Sequence, residues 1–457
     1  GVTYFEVVKH AFLPAIISYI ALFYISHLEA LKLNLKGMDE NDIPKLKKTF
    51  FEGIHFLVPI FVLIYLLVYM RLTASYSIFF ATITLIIVNL LNKIFKEKNF
   101  KNALIYWYNQ TVVGFEKGAL NMVSVGIAIA TAGIIVGAVG STGLSTNLII
   151  VIESIAKDNV IILLFLTIIL CLLLGMGLPT TANYVVVASL MATVLVDVGN
   201  ASGFIFPLIA VHLFVFYFGL MADVTPPVGL ASYAAAAISG GDPLRTGAQA
   251  FWYSLRTGIL PIVFLFNSEL LLIGIESIWH GLMVIATSLI GILVFTSATQ
   301  GWFINKLRWY EIIIFLIISI SLLSPEFILN KFYPKYNYLS IEEINKKQFD
   351  YNKEIRIKIT RLTEYGERYK LFVIEKNSFD ENFSLDDYGM SLVVEDNKTI
   401  IDTLKWNGIA KKSGLDMGDI INEFKIENQN RPKKEIIYPI ALILLSIFGY
   451  LNIRRRI

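Results

Sequence analysis

The polar chemistry of this chain gathers at two interruptions of long apolar runs. The first reads G-M-G-L-P-T-T-A-N and sets Gly175, Gly177 and Pro179 ahead of Thr180, Thr181 and Asn183. The second reads D-V-T-P-P-V-G and carries Asp223 and Thr225, then Pro226, Pro227 and Gly229. Hydroxyls, an amide carbonyl and one carboxylate are hard oxygen donors, the ligands that hard cations take. A site that must release its ion holds it with few full charges, so threonine oxygens and freed backbone carbonyls suit an ion that is bound and let go.

The elements that would position these groups are broken helices. In hydrocarbon every backbone N–H and C=O must be satisfied inside the protein, so a helix is interrupted at membrane depth only where it is buried or lines a watery cavity. Pro179 suits the opening position of a new helix because it has no N–H to leave unpaired. The amides of Thr180 and Thr181 would then face the gap, where a helix N-terminus favours an anion, while unwound carbonyls and a helix C-terminus favour a cation. Adjacent prolines deny the second break two donors. Asp223 beside an apolar helix costs about 2.5–3.5 kcal/mol unless something compensates it. His212, eleven positions earlier and three helical turns away, shares its face and reads as a packing histidine or a polar relay.

The surroundings are those of an integral membrane protein. Of 457 residues 56% are hydrophobic and only 16% charged, against about 25% charged in soluble domains. The net charge of +3 implies no nucleic-acid partner. The single Cys171 sits in an apolar segment and excludes an intramolecular disulfide. Apolar length places spans at 11–28, 54–70, 73–91, 119–139, 204–222, 253–275, 278–300, 309–329 and 437–453. Segments 160–174 and 179–197 are short enough to be arms of a re-entrant hairpin. Loops 30–50 and 93–101 are rich in Lys and are expected on the cytoplasmic side. Segments 31–50 and 102–118 mix Leu, Trp and Tyr with Lys as interfacial amphipathic helices do. The glycines and alanines of 126–143 have helix-contact spacing.

Past Leu329 the chain changes character. Residues 331–435 are charged and Asn-rich, with alternating stretches Ile355 to Ile359 and Lys370 to Ile374 that read as strands. The run N-G-I-A-K-K-S-G-L-D-M-G-D-I-I from Asn407 to Ile421 is similar to part of PDZ-like folds, with Gly414 ending a short helix and Gly418 in a turn. Lys306 and Arg308 before one span and Arg454, Arg455 and Arg456 after the last place this insert outside the membrane. Lys433 and Lys434 at the outer end of the last span run against that assignment.

The motifs G-M-G-L-P-T-T at 175–181, H-L-F-V-F-Y-F-G at 212–219, T-P-P-V-G at 225–229 and G-G-D-P at 240–243, in this order, resemble the fused permease subunit of tripartite ATP-independent periplasmic (TRAP) transporters of the TAXI-associated kind. Ala74 departs from the S-P-T-like stretch of such permeases. The resemblance implies an all-α polytopic membrane protein with one inverted-repeat half, a re-entrant hairpin and a broken helix, joined to a small α+β extramembrane insert. Its units are 1–275 as the second repeat, 276–330 as additional spans, 331–435 as a periplasmic PDZ-like insert and 436–457 as the last span. The resemblance further implies a sodium-coupled permease of the bacterial inner membrane that imports a small organic anion handed over by a periplasmic TAXI-type solute-binding protein. It needs no cofactor beyond sodium as the coupling ion. Gly175, Gly177, Pro179, Thr180, Thr181, Asn183, Asp223, Thr225, Pro226, Pro227 and Gly229 would form the substrate and cation site, with Asp223 and Thr225 as sodium ligands. The first half of the permease is expected from a separate subunit or from chain beyond this sequence. Two other classes compete: an intramembrane protease using Asp197 and Asp223 as paired carboxylates, and a membrane-tethered scaffold acting through the insert.

Overall fold

A computed structural model describes residues 3–37, 39, 43–96, 100–142, 155, 159–175, 180–202, 204–226, 229–339, 354–363, 366–375, 388–395 and 398–455. Helix α1 (Tyr4–Lys32) opens on a capping box between Thr3 and Glu6. Helices α2 (Leu46–Gly53) and α3 (Leu57–Ile64) form one span with the turns around them, Leu46–Tyr69, and α4 (Ala74–Lys96) returns. Helix α5 (Phe100–Thr142) has 43 residues without a proline. The sequence divides this stretch into an interfacial helix and a span, but the structure runs it as one helix because nothing between residues 118 and 119 breaks the backbone ladder. Likewise, the amphipathic helix expected over 31–50 is divided: α1 ends at Lys32 and α2 starts at Leu46.

The interior is built by α6 (Val160–Gly175), α7 (Thr180–Ala201), α8 (Leu208–Ala222), α9 (Leu230–Ser239) and α10 (Pro243–Phe266). Helix α8 is apolar on every side, and such a helix must be enclosed. It is packed against α6, α7 and α10, with Val211, Phe214 and Val215 fully buried. The apolar window of α7 is 67% buried, whereas those of Leu46–Tyr69 and Ala74–Phe95 are 6% buried, so α7 and α8 are the core and the α3–α4 pair is peripheral.

Helix α11 (Ile278–Gln300) packs along α12 (Trp309–Leu323), and α13 (Pro325–Phe332) leaves at 96°. The span expected over 309–329 therefore bends at Ser324, where Pro325 cannot donate to the helix. Strands β1 (Tyr336–Leu339), β2 (Glu354–Thr363), β3 (Gly366–Glu375), β4 (Met390–Glu395), β5 (Lys398–Leu404) and β6 (Ile420–Glu427) form an antiparallel sheet of order β3-β2-β6-β5-β4, with β1 also on β6. Ile355, Ile357 and Ile359 alternate into its core with Phe424 and Tyr388. Helix α14 (Ile409–Lys412) ends before Gly414 at φ +98°, and Gly418 at φ +86° turns the chain into β6. Helix α15 (Ile437–Arg454) closes the chain.

Two contacts orient the ends. Lys32 donates to Gln300 Oε1 at 3.4 Å, which puts the first Lys-rich loop at the same end as the basic stretch before α12. At the other end Lys434 pairs with Glu269.

Candidate functional site

The core joins the two breaks through side chains that local sequence reasoning cannot connect. Asp223 caps the C-terminus of α8, and its Oδ2 accepts a hydrogen bond from Thr180 Oγ1 at 2.6 Å, in the first turn of α7. A carboxylate there offsets the positive end of the α7 dipole. Thr225 Oγ1 donates to Met221 O at 2.6 Å and holds the last turn of α8. Beyond it, Ala231 N donates to Asp223 O at 3.1 Å, Gly229 N to Thr225 O at 3.1 Å and Ser232 Oγ to Val224 O at 3.0 Å. The carbonyls of Asp223, Val224 and Thr225 are thus each occupied, and Gly229 at φ +33° supplies a left-handed corner. Pro226 packs on Gly247, where an added Cβ would stand 3.0 Å from its ring.

Asn183 lies one turn into α7 and is fully buried. Its Nδ2 donates to Cys171 O at 3.0 Å on α6, while its Oδ1 has no hydrogen-bond partner among the described residues. Burying a carbonyl oxygen without a partner costs about 1–3 kcal/mol. Two glycines make room for the amide: a Cβ at Gly175 would lie 2.5 Å from Asn183 Nδ2, and one at Gly219 would lie 3.2 Å away. Sequence reasoning missed Gly219. Its signal was available, because a glycine inside an all-apolar helix costs about 1 kcal/mol relative to alanine and so marks a close approach.

Thr181 is exposed on α7, and His212 meets α7 one turn past Thr180, at Tyr184. Its Nδ1 lies 3.0 Å from Tyr184 OH, and its eleven residues from Asp223 amount to roughly 16 Å along α8. Gly177, Pro179 and Pro227 lie outside the described residues. Asp197 lies seventeen residues along α7 from Thr180, roughly 25 Å from the Asp223 carboxylate, so the two acids cannot share a proton or a water as a protease pair must. Among the described residues no group of three or more His, Cys, Asp or Glu is placed to hold a metal. What the breaks offer is a sparse set of oxygens: the Asp223 carboxylate, the Thr180 hydroxyl and the buried Asn183 carbonyl.

A family model described as Tripartite ATP-independent periplasmic transporter, DctM component, matches residues 1–279, and one described as Domain of unknown function (DUF3394) matches residues 281–457. No curated protein and no solved structure matches the chain.

Proposed function

Because the chain belongs to the DctM component family of tripartite ATP-independent periplasmic transporters, we propose that it is the sodium-coupled permease of a TAXI-type system in the bacterial inner membrane, importing a small organic anion. The family is a transporter component and not an enzyme, and its members work with a periplasmic solute-binding protein and a small membrane subunit. The helices agree with a multi-pass membrane protein, six of them being long and apolar enough to cross a bilayer among the described residues.

The buried, unpartnered Asn183 Oδ1 carries the sodium reading. It is a neutral oxygen held in a low-dielectric core at the first turn of α7, close to the Asp223–Thr180 bond. An ion there would recover the desolvation cost that this oxygen bears. The same geometry accounts for coupling to an anion. Asp223 occupies the positive end of α7, so a substrate carboxylate approaching the Thr180 and Thr181 amides meets a negative charge. A bound cation cancels that charge and leaves the helix terminus free to attract the anion. Ion and substrate then bind better together than apart.

The reading is tested in proteoliposomes holding the complete permease and its binding protein. Uptake is expected to require an inward sodium gradient, and Asp223→Asn raises the sodium concentration needed for half-maximal rate. Unchanged uptake with choline in place of sodium rules the reading out.

A further inference from the structure

A cavity lies away from both breaks, at the end of the molecule where α12 starts and α15 stops. It encloses about 480 Å³. Its wall is set by the buried carboxylate of Glu311, which accepts from Arg308 N at 2.8 Å and pairs with Arg455. That ion pair ties the first turn of α12 to the last residues of α15. Asn305 reinforces the join by donating to Asn452 Oδ1 at 2.9 Å and to Asn452 O at 2.8 Å.

The remaining charges face the opening. Arg308 reaches only the Tyr310 hydroxyl, at 3.1 Å, and Arg454 has no ion pair among the described residues. With Glu311 committed to Arg455, the lining keeps two uncompensated guanidinium groups. A guanidinium presents a planar fork of donors that matches a phosphate oxygen pair. On its α15 side the cavity is apolar, formed by Phe448 and by Leu451, which is 46% exposed. Trp309, 75% exposed at the same level, is the kind of aromatic side chain that sits at the headgroup boundary.

We propose that this cavity binds the phosphate of an anionic membrane phospholipid, with Arg308 and Arg454 on the headgroup and the acyl chains running down Phe448 and Leu451. A basic pocket between spans on the cytoplasmic side is the setting in which lipid headgroups are held. The site belongs wholly to residues 281–457, the part of the chain outside the transporter family match, and it does not depend on the sodium reading.

Native mass spectrometry of the full chain, released from detergent with equal amounts of phosphatidylglycerol and phosphatidylcholine of distinguishable mass, tests it. The unaltered chain is expected to retain phosphatidylglycerol selectively. Replacing both arginines, R308Q with R454Q, is expected to weaken that retention roughly thirtyfold, since each basic side chain near an anionic surface contributes about a factor of five. R454Q alone, at an exposed position, gives the smaller step and guards against misfolding of the double variant, and R454K, which keeps the charge without the planar fork, restores it only in part. Equal retention of both lipids by the unaltered chain overturns the proposal, as does undiminished selectivity in R454Q and the double variant. Displacement of the lipid by glycerol phosphate at equal concentration would show a site for a soluble phosphate ester and overturn the lipid assignment.

Discussion

Asn183 is the residue on which the transport reading turns, because its two amide atoms do different things: Nδ2 secures α7 to α6 through Cys171 O, and Oδ1 is left without a partner. Removing the whole amide separates the roles only in part, so two substitutions are informative. Asn183→Ala is expected to raise the sodium concentration for half-maximal uptake by about tenfold or more, the factor that 1.4 kcal/mol represents and within the cost of one lost ligand. Sodium-titrated uptake in proteoliposomes measures it, and an unshifted midpoint would remove Asn183 from the ion site. Gly175→Ala acts on the same amide from the other side. Its Cβ would be forced against Asn183 Nδ2 and the Ala222 side chain, neither of which is a flexible tip. Overpacking of this kind costs about 1–3 kcal/mol, so thermal unfolding of the purified chain is expected to occur at lower temperature and uptake to fall. Normal uptake in Gly175→Ala would mean that the close approach of α6 to α8 is not needed.

At the scale of elements, the C-terminal sheet carries one buried, bidentate ion pair. Arg361 on β2 donates to Asp419 Oδ1 and Oδ2, each at 2.7 Å, and Asp419 is 1% exposed. Its bond to Asp419 raises the Arg361 pKa further, so this cation persists at every working pH. Arg361→Ala strands a buried carboxylate and is expected to destabilise the sheet by about 3 kcal/mol, seen as faster amide exchange over β2 and β6 in the full chain. Wild-type exchange rates there would contradict it. Asp416, close by, is held below its ordinary 3.8 by the Lys411 hydrogen bond and by Arg361. A lowered carboxylate pKa stabilises the fold above 3.8 and loses that contribution as pH falls through the folded value. Protection of α14 is therefore expected to hold from neutral pH to about pH 4 and to decline below it, and Asp416→Asn should flatten that decline. In the membrane portion, α11 and α12 cross at Gly291, where a Cβ would meet Leu323 Cγ at 2.8 Å, and Ser319 Oγ donates to Gly291 O at 2.8 Å. A side chain at 291 would pry these two spans apart.

Across the whole molecule, the basic residues flanking α12 and α15 lie at one end, and the sheet lies at the other, with β3 against α7. If the sheet end faces the periplasm, a binding protein docking there passes beside the sheet. Trp406 is 85% exposed in the turn after β5, and Cys171 is buried, so Trp406→Cys gives one reactive thiol. It is expected to react with an impermeant maleimide added outside the inner membrane and to crosslink to the binding protein. Deleting 335–430 should weaken apparent affinity for the loaded binding protein without altering sodium dependence. Labelling only after the membrane is opened would reverse the orientation of the chain.

The sequence by itself determined that the chain is a membrane protein, because apolar length and charge placement are local quantities, and it determined the two breaks, because Gly and Pro act on their own backbone. It also carried the alternation that makes strands of Ile355 to Ile359 and Lys370 to Ile374, while their pairing, Ile355 with Ile374 and Ile359 with Lys370, came from the tertiary structure. Only the tertiary structure decided that Thr180 bonds Asp223 across 43 positions, that His212 faces Tyr184, and that Asn183 keeps a bare oxygen between Gly175 and Gly219. The reason is the same in each case: a partner remote in sequence is chosen by how helices pack, and no periodicity within one helix records which face its neighbour presents.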